Sequence, residues 1–210
     1  MAVTTGTRTA RMETKRAQIR AGARRLFLRQ GFAGASTDAI AAEAGVSKQT
    51  LYVYYPSKEE LFEDVLRQMT VDSPQSPFVH MEGVSPESRA ALHQTLNTLA
   101  QSIITVSMQP EYLALVRTII AEAPRFPQLS ALFRATVPEQ AMKSIAVLLD
   151  RARANGVIQD GNLDAMARMF VGSLLTYTFI DGLFLGDAPP QRPDTARIRE
   201  VVDLYMNVVI

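Results

Sequence analysis

Apolar residues recur at helical spacing along nearly the whole chain, which predicts an all-α fold. The first stripe is Ile19, Ala23, Leu26 and Phe27, on a helix over 13–30 that Gly31 closes as a C-cap. Phe32 is expected to pack back after that cap, and 34–36 is a short loop. Two short helices with a tight turn follow. Thr37 is read as the N-cap of the first, Asp38 places negative charge at its positive end, and Ile40, Ala41 and Ala44 form a small apolar face. Gly45 takes the left-handed position after the helix, Val46 is a buried pivot, and Ser47 caps the second helix, over 48–54. That helix buries Leu51 and turns Lys48, Gln49, Thr50, Tyr52 and Tyr54 to other faces. Pro56 stops it, and Ser57 to Glu60 is a capping box opening a helix to about 69, with Leu61, Phe62, Val65, Leu66 and Met69 inward.

So short a helix does not stand alone in water. Held by two neighbours and left exposed, it fits a DNA major groove. Lys48 and Tyr52 have the reach and chemistry for phosphates, and Gln49 and Thr50 for base edges or a thymine methyl. The bland alternative is a helical hairpin with a solvated polar face. Charge distribution favours the nucleic acid. Residues 1–58 hold ten Lys and Arg against three acids, a net +7, which leaves −6 on the remainder of a chain whose total is +1. A basic end joined to an acidic one suits a protein that grips phosphates at one end only.

Within this stretch, Ala23-Arg24-Arg25-Leu26-Phe27, Gly31-Phe32, Ser36-Thr37, Ile40-Ala41, Ala44-Gly45-Val46-Ser47, Thr50-Leu51-Tyr52, Tyr54-Tyr55 and Ser57-Lys58-Glu59-Glu60-Leu61-Phe62 keep fixed spacings. The run resembles the DNA-binding domain of the TetR/AcrR family of bacterial transcriptional regulators. The resemblance implies a three-helix N-terminal domain, a connecting fourth helix, and a C-terminal helical ligand-binding and dimerisation domain. By position it implies DNA contacts at Thr37, Ser47, Lys48, Gln49, Thr50, Tyr52, Tyr54 and Lys58, with Lys58 facing a phosphate.

The organisation expected is a DNA-binding domain over 1–68 with a disordered start at 1–10, a linker over 69–84, and a helical domain over 85–210. Arg8 and Arg11 stand either on a basic arm of the kind that enters minor grooves or on a loose terminus. The helix from 58 is the expected lever between the domains. Beyond the linker, Ser85-Pro86-Glu87 reads as a helix start. Helices with apolar stripes then run to about 108, over 111–123, over 128–136 and on to 154, where Asn155-Gly156 is a stop.

The stretch 162–185 is apolar on nearly all sides, and 194–210 repeats the idea. Met166, Phe170, Ser173, Tyr177, Ile180 and Phe184 follow a 4-3-4-3-4 spacing, and Ile198, Val202, Tyr205 and Val209 form a second stripe. These stripes either close the monomer's core or form a four-helix bundle with a second copy; the resemblance favours the homodimer. Such a dimer sets two recognition helices about 34–36 Å apart on a palindromic operator. Between the C-terminal helices a pocket for a small apolar or aromatic effector is expected, walled by Met108, Tyr112, Val116, Arg117, Phe133, Met142, Phe170 and Tyr177, with His93 and Gln94 as further polar groups. Ordinary core packing is the competing reading of those Met and aromatic positions.

The chain has no cysteine, and His80 and His93 are too far apart for a His-based metal site, so no metal or cofactor is expected. The longest apolar run, 170–180, falls short of a membrane span and no secretory leader is evident, so a cytoplasmic protein without membrane contact is expected. An all-helical enzyme is disfavoured, because no phosphate-cradling glycine loop and no nucleophile with a nearby base is visible. A helical ligand-binding or interaction protein without DNA binding is the remaining alternative.

Overall fold

The computed structural model describes residues 3–70, 72–73, 76, 81, 83–186 and 188–210. Among these it forms α1 (Val3–Gly34), α2 (Thr37–Glu43), α3 (Lys48–Tyr54), α4 (Lys58–Met69), α5 (Arg89–Ser107), α6 (Pro110–Glu122), α7 (Pro127–Thr136), α8 (Pro138–Ala154), α9 (Leu163–Ile180) and α10 (Thr195–Val209), with a 3-10 turn at Leu183–Leu185 and no strand. Of the expected linker, 71, 74–75, 77–80 and 82 lie outside the described residues, His80 among them, and so does the side chain of Arg8.

The chain divides into two compact units, Met1–Gln68 with Ala114–Phe133, and Met69–Leu113 with Arg134–Ile210. The contiguous domain expected over 85–210 is therefore interrupted. The cause is visible in the first unit. Phe126 packs edge-on against Phe32 with centroids 5.3 Å apart, and Phe32 and Phe27 meet Phe62 at 5.3 and 5.1 Å. Glu122 Oε1 accepts from the Ala33 backbone N–H at 3.3 Å. Gly31 is the left-handed residue (φ 72°) that ends the regular part of α1 and turns Phe32 into this cluster.

Helix α1 starts at Val3, so the disordered start expected over 1–10 is replaced by helix from residue 3 onward. Ile19, Ala23, Phe27, Ile40, Leu51, Tyr55, Leu61 and Phe62 are all buried around the α1–α4 core. Val46, expected as a buried pivot, is half-buried.

The second unit buries apolar faces of α5, α8, α9 and α10 against one another, with Leu92, Leu96, Leu148, Phe170, Leu174, Val202 and Val209 at its centre. Helix α5 begins later than expected. Ser88 is its N-cap and accepts from Ala91 N–H at 3.2 Å. Ser85 Oγ and the Pro86 carbonyl instead accept from Asn155 Nδ2, at 3.0 and 2.9 Å, which fastens the approach to α5 onto the end of α8. By length and composition Leu163–Leu185 is apolar enough to cross a bilayer, beyond the count expected above. In the fold, that stretch ends its helix at Asp181 and packs Phe170, Val171 and Leu174 inward, while Met169, Phe179, Ile180 and Phe184 stay exposed. Gly182 follows because a Cβ there would stand 2.7 Å from the Thr178 carbonyl.

Candidate nucleic-acid interface

Two side-chain caps set the geometry of α2 and α3. Ser36, not Thr37, is the N-cap of α2, its Oγ accepting from Ala39 N–H at 3.1 Å. Thr37 is thereby the first helical residue. Ser47 caps α3 as expected, accepting from Thr50 N–H at 3.0 Å, with its Oγ 2.8 Å from Thr50 Oγ1. Between the helices Gly45 takes φ 63°. The turn is clamped onto α1 at two places. Gln18 Nε2 donates to the Ala44 carbonyl at 2.6 Å, and Gly22 lies so close that an added Cβ would stand 3.0 Å from three Ala44 atoms. Neither Gln18 nor Gly22 was marked by the apolar pattern, since one is polar and the other has no side chain.

With Leu51 fully buried, α3 turns Lys48, Gln49, Tyr52 and Val53 to solvent, leaves Thr50 and Tyr54 half-buried, and keeps Ser47 exposed at its start. Thr37 joins this surface through its Oγ1, 3.4 Å from Tyr52 OH. Seven of the eight expected contact residues thus belong to one short structure, Thr37 with 47–54. Lys58 is the exception. Its Nζ donates to the Phe32 carbonyl at 2.8 Å and lies 4.2 Å from the centre of the Phe32 ring. Burial lowers its pKa. Its ammonium ties the start of α4 to the turn after α1.

The basic surplus of the first 58 residues is also largely engaged. Arg25 Nε and Arg29 Nη2 meet Glu43 at 2.6 and 2.9 Å, and their hydrogen bonds hold the Glu43 carboxyl below the usual range, Arg25 contributing most. Arg20 lies 3.1 Å and Arg16 3.8 Å from Asp64, which also accepts from the Tyr55 hydroxyl. Lys48 Nζ lies 2.9 and 3.0 Å from the two Asp38 oxygens, and its pKa is raised mainly by that hydrogen bond. A count of charges along the sequence contains none of these pairings.

The residues expected to wall a ligand pocket fall into both units. Met108, Tyr112 and Phe170 are buried in the second, where Met142 and Tyr177 pack half-buried against its core. Val116 is buried in the first, with Arg117 and Phe133 half-buried. A separate open cavity of about 560 Å³ in the second unit is lined by Arg89, Ala90, His93, Asp203, Met206 and Asn207. Here His93 Nε2 is 2.5 Å from Asp203 Oδ1, and Arg89 Nη2 donates to Asn207 Oδ1 at 3.2 Å.

The expected dimer seam needs correction. Phe170, Ile198, Val202, Tyr205 and Val209 are buried within the protomer, and Tyr205 OH donates to the Met166 carbonyl at 3.1 Å. Met166, Ser173 and Tyr177 are half-buried. Only Ile180 and Phe184 of the seam are strongly exposed, at 63% and 76%. The outward apolar positions are Met169, Phe179, Leu204 and Val208 together with these two. A helix apolar all round carries two faces, and periodicity alone does not say which one the protomer uses.

Comparison with known proteins bears on this arrangement. The model of the bacterial regulatory proteins of the tetR family matches residues 19–65, and that of the AefR-like transcriptional repressor C-terminal domain matches residues 94–208. The HTH-type transcriptional repressor SCO4008 of Streptomyces coelicolor is 47% identical over 60 residues, 29% of this chain and 31% of that protein. The match thus spans about a third of the length of this curated relative, as it does for the HTH-type transcriptional regulator RutR of Escherichia coli. A TetR-family transcriptional regulator from Mesorhizobium loti superposes with TM-score 0.72 at 29% identity, over 94% of this chain and 96% of that one. The flavonoid-responsive regulator FrrA does so with TM-score 0.69 at 29% identity, over 93% and 95%. With a helix-turn-helix at one end and a matched regulator domain over more than half its length, the chain belongs to the TetR family of bacterial regulatory proteins.

Proposed function

We propose that this protein is a cytoplasmic, effector-responsive repressor that binds a palindromic DNA operator as a homodimer. The carrying observation is the polar face of α3, with Lys48, Gln49 and Tyr52 exposed above a turn locked to α1. Gln49 and Thr50 read base edges, Tyr52 holds the backbone, and Thr37 supports Tyr52. Repression is supported by the AefR-like repressor match and by the repressor SCO4008 among its relatives. A regulator of this kind needs no catalytic group and no metal.

The homodimer is supported by the exposed apolar row of Phe179, Ile180 and Phe184, with Leu204 and Val208 on α10. Exposed large apolar side chains of this number mark an interaction surface. The effector is a small apolar or aromatic molecule, a class supported by the likeness to a flavonoid-responsive regulator. Its binding selects a conformer with a different separation of recognition helices, at a coupling of about 1–3 kcal/mol. Helix α4 is the lever. The stretch Ala114–Phe133, which belongs to the first unit and continues into the second along the chain, is a second link.

The test is selection of binding sequences from random duplex DNA at two salt concentrations, followed by titration of the selected duplex with a panel of flavonoids and simple phenols. Enrichment of a palindrome, with release by a panel member, is the expected result. Binding without sequence enrichment would favour the interaction-protein reading. A selected duplex that no aromatic compound releases would remove the effector class.

A further inference from the structure

An acidic residue stands beside the leading cation of α3. Asp38 occupies the first turn of α2, and its two carboxylate oxygens lie 2.9 and 3.0 Å from Lys48 Nζ. Both side chains are more than half exposed. An exposed pair of this kind contributes little to stability. It is placed where stability is not the main consequence, because Lys48 opens the helix that faces DNA and a carboxylate there repels phosphate. Elsewhere on this surface Ser47 lies on Thr50 and Thr37 near Tyr52. Among the described residues of that surface, Lys48 is the one cation within reach of a phosphate contact at the start of α3, and it is held by its neighbour.

We infer that Asp38 is a specificity-determining residue that holds Lys48 away from phosphates and so suppresses sequence-independent binding to DNA. The inference rests on the DNA-binding reading above. Non-specific affinity comes almost entirely from cation–phosphate contacts, and a complex without base contacts slides until each free cation meets a phosphate. Neutralising Lys48 with Asp38 therefore lowers affinity for every wrong sequence. On the operator, base contacts by Gln49 and Thr50 fix the register of α3, and Lys48 keeps its Asp38 partner. The cost falls on random DNA more than on the operator, which raises the ratio between them.

The experiment measures dissociation constants of the full-length chain for a selected operator duplex and for a random duplex across a salt series. Four proteins are compared: wild type, Asp38→Asn, Lys48→Gln and the double variant. Thermal melting of each checks that the helices are intact. Asp38→Asn is expected to tighten random-DNA binding about three- to fivefold, to change operator binding less than twofold, and to steepen the random-DNA salt slope by about one. In the Lys48→Gln background the same change should lose most of its effect on random DNA. Equal tightening on both duplexes, an unchanged salt slope, or an effect that survives without Lys48 would each overturn the assignment. Failure of the wild type to prefer any sequence would overturn the DNA-reading function itself, and that result is separable from the three variant comparisons.

Discussion

Tyr52 and Gln49 are neighbours in space but differ in what they offer DNA. Tyr52 has one hydroxyl on a long rigid arm, suited to a phosphate; Gln49 has an amide that pairs with adenine. Tyr52→Ala is expected to weaken binding to operator and random duplexes by a similar factor, whereas Gln49→Ala mainly narrows the gap between them. Equilibrium titration of both duplexes decides it, and equal losses on both duplexes from the two variants would remove the division of labour. Lys58 gives the opposite kind of result. Because its Nζ is bonded to the Phe32 carbonyl, Lys58→Met should leave the salt dependence of binding unchanged while costing about 1–3 kcal/mol of stability. A salt slope reduced by one would assign it a phosphate contact instead. The identity of Lys58 was readable in the sequence, but its direction was not: a lysine at a helix start reaches outward or back over a ring, and only the placement of Phe32 decides.

At the scale of elements, the α2–turn–α3 boundaries were legible because Ser47, Gly45 and Pro56 are local signals acting within a few residues. What clamps that unit to α1 was not, since Gln18 bonds across 26 positions and Gly22 acts by lacking a side chain. Gly22→Val would drive a side chain into Ala44 and should destabilise the domain by about 1–3 kcal/mol, measured by urea unfolding followed by circular dichroism. An unchanged midpoint would contradict the close approach. The end of α3 is linked to α1 and α4 through Tyr55, whose hydroxyl donates to Asp64 beneath the Arg16 guanidinium. Burial, reinforced by that hydrogen bond, pushes the Tyr55 phenol up to about 12. A phenol raised in the folded state favours the neutral form there. Its contribution is complete below the unfolded value of about 10 and is lost as pH rises toward 12. Wild type should therefore lose stability more steeply than Tyr55→Phe between these limits, by about 2 kcal/mol in total. Parallel curves for the two proteins would show that Tyr55 is not buried against Asp64.

For the whole molecule, the sequence supplied helices in the right order but two errors of grouping. Stripes at helical spacing announce a buried face, yet Ile198 and Val202 bury theirs inside the protomer while Leu204 and Val208 remain outside. Likewise nothing local says that Phe126 packs with Phe32, almost a hundred positions away. Phe184→Glu with Leu204→Glu should give a folded monomer by sedimentation equilibrium and weaken operator binding at least tenfold, because one half-site alone then anchors each protein. A dimer that survives both changes would place its interface elsewhere. The central claim is that α3 reads sequence. The most direct measurement runs the random-duplex selection side by side on wild type and Gln49→Ala. One palindrome is expected from both, with the variant losing preference at matched positions in each half-site. An identical motif from the two proteins, or none from the wild type, would contradict it.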